Sequence, residues 1–308
     1  MCVFKAGDAN SDILEKNEKL IMFYVDLENE IILNKTNEES KDRESEEQVS
    51  ESKHPVLFNQ YPVCQTHSLF LLFADAGLPQ VLSDELLVLM LQIFKVSDQP
   101  SLRIGYNSMG ADCIANNLHF HLTYAEQMFK DVNGTEVYPI ENASKKLFFR
   151  TTLQHRNKEE INMYNCAVRF GEIPNWPVKT LILSPDIDES NAEASLEDAQ
   201  EALAHTAGIV LNHLIDLNIP HNILIADEGM TLYIIPRKFD LLIENVSFFT
   251  SFETLCGFIK FKTHAAYTAC TIDSITEQLG SSVSVGEADF ERMKNELIEK
   301  FMKEYEGA

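Results

Sequence analysis

In the segment NNLHFHLTY, Asn117, His119 and His121 recur at every second residue, with Leu118, Phe120 and Leu122 between them. Successive side chains of a strand point to opposite faces, so the carboxamide and both imidazoles share one face while the apolar trio enters a core. An imidazole titrates near neutral pH and can act as nucleophile, base or metal ligand. Three chemistries follow. A neutral imidazole nitrogen can attack phosphorus to give a phosphoramidate that a second acceptor displaces, with His121 and Asn117 as donors to the phosphoryl oxygens. Cys64, His67, His119 and His121 join a C-x-x-H to the H-x-H and could supply four zinc ligands. The third reading is a half-buried strand whose polar face meets solvent.

Whichever holds, the strand needs a sheet around it. The run Pro55 to Phe73 is two β-rich stretches broken at Tyr61-Pro62 and reads as a hairpin, with His67 at the start of its second strand. Ser83 is placed to cap a helix whose first turn holds Asp84 and Glu85 and whose apolar side is Leu86, Leu87, Met90, Leu91 and Phe94. SLRIGYNSMGADCIANNLHFHLTY then gives a strand, a Gly-punctuated turn and the histidine strand. A comparable order returns in the second half. WPVKTLILSP reads as a strand, Leu196 to Leu217 as a long helix and HNILIADEGMTLYIIP as a hairpin turning at Asp227 to Gly229. FETLCGFIKFK is expected to add a strand, and Glu287 to Tyr305 an amphipathic helix with Phe290, Met293, Leu297, Phe301 and Met302 inward. His205, His213, His221 and His264 lie in this half without an H-x-H, which places a single catalytic centre in the first half.

Composition narrows the partners. The 25 basic and 48 acidic residues leave a formal charge of -23 on 308 residues, which opposes binding to nucleic acid or to an anionic membrane surface. No apolar run approaches the roughly 20 residues that span a bilayer. The start MCVFKAGDANSD lacks a basic then apolar leader pattern, so a cytoplasmic protein is expected. Cys2, Cys64, Cys113, Cys166, Cys256 and Cys270 show no C-x-x-C spacing, hence neither a disulfide framework nor a zinc ribbon. Lys19 to Leu33 reads as a hairpin, and Glu38 to Glu51, EESKDRESEEQVSE, as a solvated acidic loop that leaves room for a protein partner.

The surroundings of the pair add a resemblance. GYNSMGADCIANNLHFH is similar, position by position, to the catalytic segment of the plant GDP-L-galactose and animal GDP-D-glucose phosphorylases, of the histidine-triad superfamily that includes the galactose-1-phosphate uridylyltransferases. The Pro55 to Pro79 hairpin with His67 and Leu78 to Gln80, YPIENA from Tyr138, WPVKTLIL from Trp176 and NIPHNILIADEGMTLYIIPR from Asn218 look like further blocks of that family. The resemblance implies an α+β fold, two half-units of antiparallel sheet with flanking helices forming a pseudo-dimer. It divides the chain into an acidic, partly disordered segment 1–53, an active half 54–170 and a second half 171–308 without a triad. It implies His119 as nucleophile, His121 as the residue two beyond it, His67 as an accompanying histidine, and Asn107 and Ser108 as the loop against the nucleotide. Arg103 is the cation nearest in sequence, with Arg150, Arg169 and Arg237 available for phosphate. The implied reaction moves GMP from a GDP-hexose through His119 to inorganic phosphate, with no cofactor and no metal in the chemical step. With a plant-type substrate, the product would feed ascorbate synthesis. One position departs from the family: its first triad histidine is here Asn117, which cannot carry a proton charge at neutral pH. That departure, together with a short acidic N-terminal segment where the family carries a longer basic one, motivates the alternative of an impaired or inactive homologue kept as a nucleotide-binding or assembly subunit.

Overall fold

Ten strands pair into one sheet among the residues described by the computed structural model, 21–25, 54–74, 76–97, 99–113, 117–154, 165–187 and 195–306. The run Glu38–Glu51 and the second arm of the hairpin expected at Lys19–Leu33 lie outside these residues. In chain order the first unit is β1 (Ile21–Val25), β2 (His54–Phe58), β3 (Ser68–Leu71), helix α1 (Asp84–Val96), β4 (Leu102–Asn107) and β5 (His119–Tyr124), followed by helix α2 (Ala125–Asn133). The second is β6 (Lys146–Gln154), β7 (Asn165–Glu172), β8 (Leu181–Asp186), helix α3 (Leu196–Asp216), β9 (His221–Ala226) and β10 (Thr231–Pro236). Helices α4 (Phe252–Leu255), α5 (His264–Ala269), α6 (Ile272–Gln278) and α7 (Glu287–Glu306) complete the chain.

The sheet order is β1-β2-β3-β5-β4-β9-β10-β8-β7-β6, and every neighbouring pair is antiparallel. Read inward from either edge, the plan is the same: three consecutive strands, then the fifth, then the fourth, with a helix inserted after the third. The two units meet where β4 pairs with β9, Ile104 opposite Ile225 and Asn107 opposite Asn222. This is the two-unit α+β architecture expected from the sequence. The division expected at residue 170 falls inside β7, whereas the sheet groups β6 and β7 with β8.

One face of the sheet carries α1, α3 and α7. Leu118, Phe120 and Leu122 enter this core beside Ile104, Ile223, Leu87, Met90, Leu203, Phe290 and Phe301, each fully buried apolar side chain contributing about 1.5–3 kcal/mol of transfer free energy. Ser83 caps α1 by accepting from Leu86 N–H at 3.3 Å, and Ser195 and Asp198 form a reciprocal box at the start of α3. The opposite face packs Leu224, Tyr233, Ile235 and Ile182 against Tyr138, Ile140, Phe252 and Leu255. Two sequence expectations fail. FETLCGFIKFK forms no strand: it opens on α4 and touches its neighbour through a single bridge, Phe248 to Phe261. Met302 is 52 % exposed, because it lies off the stripe formed by Phe290, Met293, Leu297 and Phe301.

Candidate active site

Strand β5 presents its histidines to the face opposite α1. His119 is fully buried, His121 is 7 % exposed and Asn117 4 %, which overturns the reading of a solvated strand face. The backbone of His119 is clamped by Gln80, whose Oε1 accepts its N–H at 2.9 Å and whose Nε2 donates to its carbonyl at 2.9 Å and to that of Asn107 at 3.2 Å. The ring is held separately: His119 Nδ1 lies 2.9 Å from the backbone carbonyl of Asn117. A carbonyl oxygen only accepts, so the proton resides on Nδ1 and the lone pair of the neutral ring on Nε2. Asn117 Oδ1 is buried and has no hydrogen-bond partner among the described residues. Its main chain, rather than its side chain, orients His119.

His121 belongs to a second arrangement. Val63 N–H donates to His67 Nδ1 at 3.1 Å, and His67 Nε2 lies 2.9 Å from His121 Nδ1. A backbone N–H can only donate, so in a neutral pair the protons run outward: His67 Nε2–H to His121 Nδ1, leaving an N–H on His121 Nε2. Asn59 Nδ2, 3.0 Å from His67 Nε2, and Asn107 Nδ2, 3.4 Å from His121 Nε2, are further donors beside these N–H groups, converging with them without a bond between them in this tautomer. Asn107 cannot turn, because its Oδ1 accepts from Asn222 Nδ2 at 2.6 Å and from Phe252 N–H at 3.1 Å. Phe252 lies over the sheet with its ring centroid 5.5 Å from that of His121. Gly105 makes room for it: a Cβ there would run into the Phe252 ring.

Ser108 follows directly, its Oγ accepting His221 N–H at 2.8 Å and its N–H donating to His221 carbonyl at 3.0 Å. Burial holds the His221 ring neutral, lowering its pKa to about 4. Thus Asn107, Ser108, His67, His119, His121 and Asn117 gather at one place. The arginines do not all join them. Arg103 shares the histidine face but is tied to Glu141 at 2.9 Å, and Arg150 and Arg169 both pair with Asp186. Arg237 is buried against Asp240 and Thr250 and reaches Asn222 Oδ1 at 3.5 Å.

Glu253 on α4 is the carboxylate at this site, fully buried and bonded to Ser251 Oγ and, at 3.1 Å, to Lys260 Nζ. Burial alone would raise its pKa; the positive charge of Lys260, then the neighbouring His121 and His67, outweigh burial and hold it near 2. One ligand-type atom each from His67, His121 and Glu253 falls within 4.8 Å of the others, a set that includes neither Cys64 nor His119. The donor chemistry does not fit a cation there. A ligating imidazole donates its far N–H outward, whereas the far nitrogen of His67 receives Val63 N–H, and Lys260 already neutralises Glu253. Gln80, Asn222 and Glu253 are the residues that reading β5 alone misses. Asn222 did leave a trace, as the sole carboxamide inside the apolar strand HNILIA.

Fold and site together define a class: two topologically equivalent antiparallel units in one sheet, with a carbonyl-braced imidazole and a histidine relay buried on the face of the first. Within that class the chain belongs to the GDPGP1-like family, whose N-terminal domain model matches residues 14–123 and whose C-terminal domain model matches residues 152–304. It is similar to GDP-L-galactose phosphorylase 2 of Arabidopsis thaliana, 29 % identical over 182 residues, which is 59 % of this chain and 35 % of that protein. It is also similar to GDP-D-glucose phosphorylase 1 of Xenopus laevis, 34 % identical over 71 residues, 23 % of this chain and 18 % of that one. The chain thus spans only about a third or less of the length of these curated relatives. Among solved structures, yeast Ap4A phosphorylase Apa2 in complex with AMP aligns over 74 % of this chain and 70 % of its own, with a TM-score of 0.48 and 13 % identity. No helix among the described residues is long and apolar enough to cross a membrane.

Proposed function

We propose that this protein is a GDP-hexose phosphorylase that transfers GMP to inorganic phosphate through His119. The relatives' names supply the substrate class, a GDP-sugar, and the reaction type, phosphorolysis. The carrying observation is the 2.9 Å bond from His119 Nδ1–H to the Asn117 carbonyl, which leaves Nε2 as the nucleophilic atom. In the proposed step the Nε2 lone pair forms a bond to the α-phosphorus. The bond from that phosphorus to the bridging oxygen breaks, and hexose 1-phosphate leaves with the electron pair. An oxygen of inorganic phosphate then displaces His119 from the guanylyl group, giving GDP and restoring the ring. The charge gathered on the ring in the intermediate is stabilised at Nδ1–H by the Asn117 carbonyl. His121 Nε2–H and Asn107 Nδ2 are donors to the phosphoryl oxygens, and Ser108 and His67 support them. Arg103, bound to Glu141, acts at most on a distant part of the substrate.

The alternative of an inactive homologue rests on Asn117, and the carbonyl bond removes much of its ground, because a histidine at 117 would offer the same backbone oxygen. Free Cys64, Cys166, Cys256 and Cys270 support a reducing, cytoplasmic setting for the proposed reaction. Rapid quench of the purified chain with α-32P GDP-hexose is the test. Label should be trapped on the protein without phosphate, be released as GDP with it, and be missing from His119→Ala. No label and no GDP with either GDP-L-galactose or GDP-D-glucose would end the proposal.

A further inference from the structure

Glu253 has no role in the transfer step as written, yet among the described residues it is the one fully buried carboxylate beside the histidines. Its Oε2 is engaged by Ser251 and Lys260, while Oε1, equally buried, has no hydrogen-bond partner among the described residues. Leaving a carboxylate oxygen unpaired in the interior is costly unless a nearby charge compensates. The nearby groups are His67 and His121, each with a ring nitrogen within 4.8 Å of a Glu253 carboxylate oxygen. Those rings are surrounded by donors: Val63 N–H, Asn59 Nδ2 and Asn107 Nδ2 all stand at 3.0–3.4 Å from their nitrogens. A donor-rich frame by itself disfavours an additional proton on the pair. The carboxylate acts in the opposite sense.

Resting on the proposed transfer, we propose that Glu253 is a positioning residue of the second unit. Its carboxylate favours a proton on the His67–His121 relay, whose direction Val63 N–H sets, so that His121 presents an N–H to the phosphoryl group attacked by His119. The low proton affinity of Glu253 owes most to Lys260, with His121 and His67 adding to it. The relay would thereby supply the charge that the Asn117 side chain cannot. The other groups facing this place are His119 on β5, with its ring centroid 5.5 Å from that of His121, Lys260 after α4, and Asp112 before β5, which burial raises to about 6. Tyr138 and Cys256 also face it, and burial keeps both un-ionised.

The test uses the full chain, GDP-D-glucose or GDP-L-galactose with inorganic phosphate, and two variants of opposite sign. In Glu253→Gln, kcat at pH 7.5 should fall about tenfold with KM nearly unchanged, and the alkaline limb of the kcat profile should move to lower pH, so that acidification restores part of the rate. Lys260→Met removes the competing cation and should move that limb to higher pH. A merely structural role would shift neither limb. Ring 15N NMR of His67 and His121 supplies a readout that needs no turnover. If wild type is inactive but the ring signals change in Glu253→Gln, the transfer reading fails while the electrostatic coupling of Glu253 to the histidine pair stands. Folded Glu253→Gln with unchanged profile and unchanged ring signals overturns the proposal. Should that variant not fold, an unmoved limb and unmoved ring signals in Lys260→Met overturn it equally.

Discussion

The two units of the sheet share one topology and differ in one strand. β5 of the first reads HFHLTY and β10 of the second TLYIIP, each the fifth strand of its unit and each docked between the third and the fourth. A single cross-sheet row even joins them: His121 opposite Gly105, Gly105 opposite Leu224, Leu224 opposite Tyr233. In the first unit the row ends on an imidazole relay. In the second it ends on Tyr233, buried among apolar side chains with Lys145 Nζ 5.2 Å from its ring centroid. The same backbone plan therefore carries a buried histidine cluster in one unit and apolar packing in the other, so the two differ in the residues placed on the fold. The second unit still takes part. Asn222 of β9, with Phe252 and Glu253 of α4, closes around the histidine strand from positions more than a hundred residues away in sequence.

The sharpest break of this comparison is His119→Ala set against Tyr233→Phe. Removing the nucleophile should lower phosphorolysis by on the order of 10³-fold or more, while its counterpart unit keeps wild-type turnover when Tyr233 loses only its hydroxyl. Comparable losses in both variants would mean that the units share the chemistry. Steady-state rates with GDP-hexose and phosphate decide it.

The seam between the units should show in acid. Burial lowers the pKa of His221 in the folded protein to about 4, from the ordinary imidazole value of 6.5. The unfolded chain therefore takes up a proton that the fold refuses, and the stability this contributes is complete above pH 6.5 and lost as pH falls towards 4. The loss amounts to about 3 kcal/mol at most. Urea unfolding at pH 7 and pH 5 should show a smaller drop for His221→Gln than for wild type; equal drops would assign the acid sensitivity to other groups.

Asn222→Ala probes the same seam from the side chains. It deprives Asn107 Oδ1 of its 2.6 Å donor and the Ala111 carbonyl of its 3.0 Å donor, an expected cost of about 1–3 kcal/mol in urea unfolding. Freed of one anchor, Asn107 should also lower kcat more than it raises KM. A stability loss without any rate loss would detach the second unit from the site.

What could be read in the sequence followed from local pattern. Period-two alternation exposes β5, and Ser83 with its acidic first turn exposes α1, since neither depends on distant residues. β6 escaped because a register shift between Leu147 and Phe149 puts Phe148 and Phe149 side by side and breaks the alternation. α4 was read as a strand from its apolar residues, yet Phe252 N–H is spent on Asn107 Oδ1, a partner 145 residues distant. Glu253 was hidden for the same reason: Ser251 and Lys260 are near in sequence, but the histidines arrive only with the fold.

The smallest expected effect concerns the departure that first drew attention, Asn117. From residue types alone, Asn117→His should restore a missing triad member and raise the rate strongly. The geometry leads elsewhere, because His119 is oriented by the main-chain carbonyl of residue 117 and Gln80 clamps its backbone, and neither contact depends on the side chain at 117. The substitution should thus change kcat by no more than about threefold, roughly 0.6 kcal/mol in barrier. A larger imidazole at a position only 4 % exposed should instead appear as a modest fall in melting temperature. A gain of tenfold or more would show that a side-chain proton at 117 is missing from this site and that the His67–His121 relay does not replace it. Equality of rate would make the backbone oxygen the part of position 117 that the nucleophile uses.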